Sequence, residues 1–327
     1  MRRREFIAAL GGAAAWPVVA RAQRQQQMRM LVSLVGGPDD DTVQKIRATF
    51  HASLEQLGWS EGRTLRVERR FASDRASMRA FAKELVALSP DVILAVANPA
   101  VSAFLAETRS IPVVFVFVSD PIAAGFVSNL ARPGGNVTGF TMYDHSISTK
   151  WLELLKEAAP DIKHVTAMYS PAGFAMESYA RAVESVAQSA GVRCDSVVVS
   201  SVEEIANAIA ALGREPGGGL IVLPDAGTVS NTKAIIAEAV RNVVPAIYPT
   251  VEFGARSGGL ISYGPDLHDT MTRAASYVDR ILRGERPGEL PVQQPTKYLL
   301  TINLKAARSM GLTIPESMLL RADEVIE

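Results

Sequence analysis

The chain has 327 residues, of which 48% are hydrophobic and 21% are charged, and its 34 basic side chains balance 34 acidic ones. This length suits two lobes better than one compact core, and the apolar fraction excludes a disordered chain. The zero net charge excludes a global basic field for nucleic acid. The single cysteine excludes an internal disulfide and a cysteine-based zinc site.

The first 22 residues have the order of a secretory signal. A basic start at residues 2–4 precedes an apolar, alanine-rich stretch over 6–20, and the small-residue pattern at 20–22 is typical of a cleavage site. The Arg-Arg-Glu-Phe sequence at 3–6 resembles a twin-arginine export signal. A buried amphipathic helix is the alternative, but two glycines and a proline interrupt the stretch. We therefore expect residues 1–22 to be cleaved, leaving a soluble periplasmic protein without lipid attachment.

Strand and helix patterns alternate from Met28 onward. Continuous apolar strands separated by helices are typical of a parallel sheet that is buried on both faces. The predicted strands lie near 30–32, 65–71, 92–94 and 113–116, and helical spacing covers 43–57, 81–88 and 99–107.

The alternation begins again after a glycine-rich turn and a short strand at 137–140. Two runs of strand–helix units predict an α/β fold with two doubly wound parallel-sheet lobes. The second run has predicted helices over 147–159, 174–190, 202–212, 230–241, 250–256 and 268–283, and predicted strands over 164–168, 195–199, 219–223, 245–248, 259–263 and 296–303.

The carboxyl ends of the strands predict where a ligand binds. In open α/β sheets, ligands lie outside these ends, where helix N-termini direct free N–H groups at the site. If the two lobes turn these edges toward each other, the loops form one interdomain cleft. The loops expected there cover 34–42, 71–76, 96–100, 117–125, 140–146, 169–175, 199–202, 223–230, 248–252 and 262–268.

Patterns typical of enzymes are absent or lie in the wrong context. The G-x-S-x-G sequence at 58–62 joins a helix to a strand, whereas a nucleophile elbow joins a strand to a helix. The glycine-rich run at 134–139 precedes a strand, which does not fit a dinucleotide site. The histidines show no metal-ligand spacing, and Asp39–Asp41 is interpreted as a helix cap. We therefore expect no catalysis, no cofactor and no metal.

Polar and aromatic residues populate the expected cleft loops. Hydroxyls and helix N-terminal amides suit a carboxylate, a carboxylate side chain suits an amine, and aromatic faces suit an apolar body. These types predict noncovalent capture of a small zwitterion or carboxylate. The alternative is that the amide and hydroxyls only cap helices, the aspartates only fix turns, and the tyrosines only pack. The candidate ligand-binding residues are Asn98, Ser119, Asp120, Tyr143, Ser170, Asp225, Tyr248 and Tyr263.

Several stretches resemble a family of ABC-transporter substrate-binding proteins that includes tryptophan- and tyrosine-binding members. The resemblance is carried by residues 111–140, 150–171, 258–266 and 277–327, and it extends over nearly the whole chain from about Met30. The most specific runs are ARPGGNVTG, which ends the first of these stretches, and LPVQQPTK, which lies within the last.

The resemblance implies a type I periplasmic-binding-protein fold, in which three chain segments cross between two lobes. It implies that residues 28–142 plus 264–293 form the first lobe and residues 143–263 plus 294–327 the second. By the same resemblance, the loops at Asn98, Ser119–Pro121, Ser170, Asp225 and Tyr248 line the cleft. Glycine is common in the family where Ser119 stands, so this hydroxyl would contact the ligand or narrow the pocket.

These observations predict a solute-binding protein of an ABC importer. We expect it to deliver its ligand to a permease in the inner membrane, to be a monomer and to bind no nucleic acid. The expected ligand is an aromatic or apolar amino acid, or a related small carboxylate. A ligand-sensing module for a membrane receptor is the alternative, because the same cleft would serve it. An enzyme on this scaffold would need a base in the cleft, for which His145 is the candidate.

Overall fold

The computed structural model describes residues 28–72, 74–143, 146–171 and 176–327. The predicted export signal at 1–22 and the candidate base His145 lie outside these ranges. Within them, no helix combines the length and the hydrophobicity that crossing a membrane requires.

The first lobe is built on a five-stranded sheet with the order β2-β1-β3-β4-β5, in which every neighbouring pair is parallel. The strands are β1 (Arg29–Gly36), β2 (Leu65–Ala72), β3 (Val92–Val96), β4 (Val113–Val118) and β5 (Val137–Thr141). The connecting helices are α1 (Asp41–Gln56), α2 (Arg75–Ala87) and α3 (Ala97–Glu107).

Both faces of this sheet are buried, because neighbouring residues on each strand enter opposite cores. Leu31 and Val92 pack in one hydrophobic cluster with the apolar residues of α1. Val32 and Ile93 pack in another with those of α2 and α3. The continuous apolar runs in the sequence therefore reflect burial on two sides, as expected for parallel strands.

The second lobe is built on a seven-stranded sheet with the order β12-β11-β10-β9-β8-β6-β7. All its pairs are parallel except β10 with β11. The strands are β6 (His164–Tyr169), β7 (Arg193–Val198), β8 (Gly218–Val222), β9 (Ala246–Tyr248), β10 (Ile261–Pro265), β11 (Tyr298–Asn303) and β12 (Glu324–Ile326). The remaining helices of the described chain are α4 (Ile147–Ala158), α5 (Met176–Ser189), α6 (Val202–Gly213), α7 (Ala226–Ser230), α8 (Thr232–Arg241), α9 (Leu267–Leu282), α10 (Leu304–Ser309) and α11 (Glu316–Leu319).

The chain crosses between the sheets at three places. It leaves the first sheet after β5, returns after β10 to form α9, and crosses again before β11. Helix α9 packs in the same cluster as α1. After α9, Gln293 donates its N–H to Gly139 O in β5 at 2.9 Å, so the chain still contacts the first sheet at this residue. Pro265 pairs with Tyr298 in the second sheet, so β10 continues past the predicted crossing at 264.

The structure differs from the prediction in three places. The helix predicted over 230–241 corresponds to α8, and α7 is an additional short helix within the predicted cleft loop over 223–230. The helix predicted over 250–256 is wrong: this segment is a loop that ends in a 3₁₀ turn at 255–257, because Ser262 Oγ accepts from the N–H of Ala255 at 2.6 Å and draws the loop onto β10. The last residues of the chain, for which no strand is predicted, form β12 at the edge of the second sheet.

A substitution at Gly264 tests how closely the loop after β9 packs against β10. A Cβ at this position would lie 1.7 Å from the carbonyl oxygen of Pro249, which is backbone and cannot rotate away. We expect Gly264→Ala to lower the free energy of unfolding by about 1–3 kcal/mol, because the backbone must shift to accept the methyl group. Urea denaturation measures this change.

The matched control is Gly36→Ala at the end of β1, where the nearest atom to the added Cβ is Met78 Cε at 3.7 Å. This variant should unfold within about 1 kcal/mol of the parent. Equal effects of the two substitutions would contradict the close packing of β10 against the Pro249 loop.

Candidate functional site

Both sheets have the strand order 2-1-3-4-5 over their first five strands, counting β6–β10 as the second set. In each sheet the direction in which successive strands are added therefore reverses once, between β1 and β3 in the first lobe and between β6 and β8 in the second. Open α/β sheets bind ligands outside the carboxyl ends of the strands at this switch point. The residues that follow β1, β3, β6 and β8, together with the neighbouring loop after β4, are therefore the first place to look for a site.

In the first lobe, Asn98 joins the ends of β3 and β4. It lies in the first turn of α3, where its side chain is buried. Its Oδ1 accepts from the N–H of Ser119 at 2.9 Å, and its Nδ2 donates to Ser119 O at 2.8 Å. The Asn98–Ser119 pair thus satisfies two buried backbone groups and fixes the loop after β4 against the start of α3.

The backbone around this pair is strained. Among the described residues, five that are not glycine have a positive φ, and three of them lie here: Ala97 at 70°, Phe117 at 57° and Asp120 at 42°. Each such conformation costs about 1–3 kcal/mol and persists only where the surroundings impose it. The pairing of β4 with β5 also shifts register between Phe115 and Val118. Bulges and strained residues of this kind are frequent beside binding sites.

The start of α3 leaves polar groups available. Val96 occupies its N-cap position, and no side chain in the described chain caps it. Ser119 is 7% exposed, and its hydroxyl makes no hydrogen bond with any described residue. Uncapped helix N–H groups beside a hydroxyl suit an anionic oxygen. Four other helices differ from α3, because an aspartate at the N-cap position accepts from their first N–H groups. These aspartates are Asp40 for α1, Asp74 for α2, Asp225 for α7 and Asp266 for α9.

Asp120 fixes the turn that follows. Its Oδ1 accepts from the N–H of Ala123 at 3.0 Å, and its carbonyl oxygen accepts from Ala124 at 3.0 Å. The side chain is half-buried, and Oδ2 has no hydrogen bond among the described residues. Asp120 therefore serves the turn with one carboxylate oxygen and leaves the other open.

In the second lobe, Asp225 joins the end of β6 to α7. Its carboxylate accepts from Ser170 N at 2.8 Å, Ser170 Oγ at 2.5 Å, Gly227 N at 2.7 Å and Thr228 N at 3.0 Å. Ser170 and Asp225 are both buried. These four bonds fill the acceptor sites of the carboxylate, so a ligand amine could bind it only by replacing one of them. We call this contact the Ser170–Asp225 pair.

Close approach of the backbone supports the Ser170–Asp225 pair. A Cβ on Gly227 would lie 2.5 Å from both Cβ and Oγ of Ser170, so only glycine fits there. Thr228 completes a capping box, because its hydroxyl accepts from the N–H of Asp225 at 3.2 Å. The Asp-Ala-Gly-Thr sequence is a helix-start pattern that could have revealed this arrangement.

Two of the candidate tyrosines are core residues of the second lobe. Tyr143 is 3% exposed, donates its hydroxyl to Pro249 O at 2.9 Å and meets the Trp151 ring edge-on at 5.6 Å. Tyr248 is 1% exposed and packs among the apolar residues of β8, α6 and α8. Burial raises the pKa of both phenols. Neither ring offers a face to a ligand in this arrangement.

Tyr263 and Phe117 are aromatic residues that are only half-buried, unlike Tyr143 and Tyr248. Tyr263 lies on β10 and stacks on Tyr298, with ring centroids 5.7 Å apart. Phe117 lies at the strained end of β4, two positions before Ser119. The sequence placed 117–125 among the cleft loops but did not single out Phe117, because the apolar run over 113–118 gives no sign of the bulge.

A family model of the ABC transporter substrate binding proteins matches residues 34–326. The chain belongs to this family. It is 25% identical over 288 residues to a tyrosine-binding protein of Clostridioides difficile, a match that covers 86% of this chain and 82% of that protein. The family resemblance predicted from the sequence is therefore confirmed.

Two solved structures agree with this chain in fold. A conserved domain protein from Vibrio cholerae superposes with a TM-score of 0.83 at 28% identity, covering 91% of this chain and 99% of that one. A domain from Streptococcus pneumonia, solved in complex with L-Trp, has a TM-score of 0.83 at 25% identity with the same coverage. The predicted α/β fold of two lobes, similar to type I periplasmic binding proteins, is confirmed.

Replacing Asn98 tests whether the Asn98–Ser119 pair holds the first-lobe loops of this substrate-binding protein. We expect Asn98→Ala to lower the free energy of unfolding by about 2 kcal/mol, because it removes two hydrogen bonds and leaves the N–H and C=O of Ser119 unsatisfied. Urea denaturation measures this change. Asn207→Ala is the control, since Asn207 lies on α6 and is exposed. Similar stability of both variants would show that the pair contributes nothing.

Proposed function

We propose that this chain is the exported solute-binding protein of an ABC importer. It captures an aromatic or apolar amino acid, or a related small carboxylate, between its lobes, and it delivers the ligand to a permease in the inner membrane. Membership of the substrate-binding family supports this role. The ligand class is supported by the tyrosine-binding relative and by the neighbour solved with L-Trp. The protein acts as a monomer in the periplasm and binds no nucleic acid.

The observation that carries the proposal is the uncapped start of α3 beside the Ser119 hydroxyl. A ligand carboxylate placed there accepts from the N–H groups of Ala97 and Asn98, since Pro99 in the same turn has none, and from Ser119 Oγ. The helix dipole favours the negative charge at this end. The Asn98–Ser119 pair holds the donors in place before the ligand arrives, which reduces the entropy lost on binding.

The open Oδ2 of Asp120 is the proposed acceptor for a ligand amine, since the carboxylate of Asp225 already accepts four hydrogen bonds. The Ser170–Asp225 pair instead shapes the second-lobe wall of the cleft. Phe117 and Tyr263 supply aromatic surface toward the apolar part of the ligand, and Tyr143 and Tyr248 support that wall from the core.

Ligand contacts from both lobes favour the closed arrangement over the open one. A ligand that touches both switch points binds the closed form more tightly, and this difference in affinity shifts the population toward closure. The three crossing segments between the sheets would absorb the rotation, as in hinge closure around a ligand. The permease would then recognise the closed form.

Thermal-shift measurements with a panel of free amino acids test the ligand class. We expect L-tyrosine or L-tryptophan to raise the melting temperature, because a ligand at about 100 times its Kd adds about 2.7 kcal/mol of stability. The methyl ester of the same amino acid should give no shift, since it cannot place a carboxylate at α3. A panel in which no amino acid or aromatic acid stabilises the protein would contradict the proposal.

A variant links this result to the site. By calorimetry, Ser119→Ala should weaken binding of the stabilising amino acid by about tenfold, the loss expected for one hydrogen bond to a charged group. Ser189→Ala is the control, because Ser189 is exposed at the end of α5. Unchanged affinity in Ser119→Ala would place the carboxylate elsewhere.

A further inference from the structure

A cavity of about 280 Å³ lies beside the segments that cross between the lobes. Its walls come from β11, the start of β12, the loop after β9 and the start of α9. It therefore lies at the carboxyl ends of β9 and β10, farther along the second sheet than the switch point between β6 and β8. The residues that matter for its chemistry are Glu252, Arg256, Asp266, Lys297, Thr301 and Glu324.

Glu252 is the unusual residue of this cavity. It is 8% exposed, and neither of its carboxylate oxygens has a hydrogen-bond partner among the described residues. The nearest cation is Arg256, whose Nη1 lies 3.6 Å from Oε1, beyond the distance of a good hydrogen bond. A buried carboxylate without a donor is strongly unfavourable unless a cation or a proton joins it.

Arg256 and Lys297, the two cations that line the cavity, each donate a hydrogen bond to a carboxylate other than Glu252. Arg256 Nε donates to Glu324 Oε2 at 2.8 Å, and Lys297 Nζ donates to Asp266 Oδ2 at 2.8 Å. Loss of hydration on burial raises the pKa of Glu252; its own backbone N–H and the charge of Arg256 oppose this rise, and the charges of Asp266 and Glu324 add to it. Carboxylates outnumber cations in the lining, which contains Glu252, Asp266, Asp323 and Glu324 against Arg256 and Lys297.

We propose that this cavity binds a small organic ammonium, with the Glu252 carboxylate as the principal acceptor and the Thr301 hydroxyl as a second one. A primary ammonium brings three N–H donors and one positive charge, which match two unpartnered carboxylate oxygens and one hydroxyl. A directly coordinated metal ion fits less well, because the described residues include no group of three side chains able to hold one.

Calorimetric titration with ethylammonium chloride at neutral pH tests the site. The parent protein should bind ethylammonium, and Glu252→Gln should weaken that binding by at least tenfold, since a charge-assisted hydrogen bond is lost. Glu177→Gln is the matched control, because Glu177 is an exposed carboxylate on α5, and its affinity should equal that of the parent. Absence of binding to the parent, or equal binding to Glu252→Gln, would overturn the proposal.

Two further measurements separate this cavity from the cleft and from simple charge attraction. Asp120→Asn removes the carboxylate proposed to accept a ligand amine in the cleft, and this variant should bind ethylammonium as the parent does; a tenfold loss would place the amine in the cleft and overturn the proposal. Tetramethylammonium, which carries the charge without N–H donors, should bind at least tenfold more weakly than ethylammonium, and equal binding would likewise overturn it. These outcomes do not depend on whether the cleft takes an aromatic amino acid.

Protein stability gives an independent readout. Without amine, Glu252→Gln should melt at a higher temperature than the parent, because it removes a buried carboxylate that accepts no hydrogen bond from the described residues. Ethylammonium should raise the melting temperature of the parent alone. If Glu252→Gln does not fold, Glu252→Asp must still weaken ethylammonium binding, since it withdraws the carboxylate from the cavity. An equal shift of parent and variant by ethylammonium would overturn the proposal.

Discussion

The structure depends on hydrogen bonds that join the ends of neighbouring parallel strands. A parallel sheet brings the carboxyl ends of its strands to one edge, where the chain must turn and its backbone groups must find partners. Asn98 meets this need in the first lobe by bonding both backbone groups of Ser119, and Asp225 meets it in the second by accepting from Ser170 and from the start of α7. These two pairs hold the loops that line the cleft in the proposed function.

The two pairs leave different chemistry at the two edges. Asp225 uses its charge to cap its own helix, so the second-lobe edge is electrostatically satisfied. Asn98 is neutral and bonds to the next loop, which leaves the start of α3 without a cap. The first lobe can therefore supply N–H donors to an anion, while the second supplies a shaped wall. This asymmetry is the physical basis for assigning the ligand carboxylate to the first lobe.

The sequence predicted the architecture because its signals are local and repeated. The period of the apolar residues located every strand of the first sheet and most helices, and the order of the elements predicted two parallel sheets with their loops at one edge. It also selected Asn98, Ser119, Ser170 and Asp225, since they are polar residues in loops at the predicted carboxyl ends of the strands. Their pairing with each other could not be predicted, because it depends on which strands are neighbours.

Other features depend on tertiary contacts that leave no periodic signal. The face to which Tyr248 points could not be fixed from β9, which has three residues, and the bulge that displaces Phe117 is invisible in an apolar run. Glu252 lies in a segment whose spacing predicts a helix, and only the contact of Ala255 with Ser262 shows that it is a loop. The burial of the Glu252 carboxylate therefore emerged from the structure alone.

The central claim is that the start of α3 and the Ser119 hydroxyl hold the carboxylate of an amino-acid ligand. A crystal structure of the protein with L-tyrosine or L-tryptophan tests it most directly. The account predicts carboxylate oxygens at about 2.7–3.2 Å from Ser119 Oγ and from a backbone N–H in the first turn of α3. A ligand bound between the lobes with its carboxylate turned away from α3, or bound outside the cleft, would contradict it.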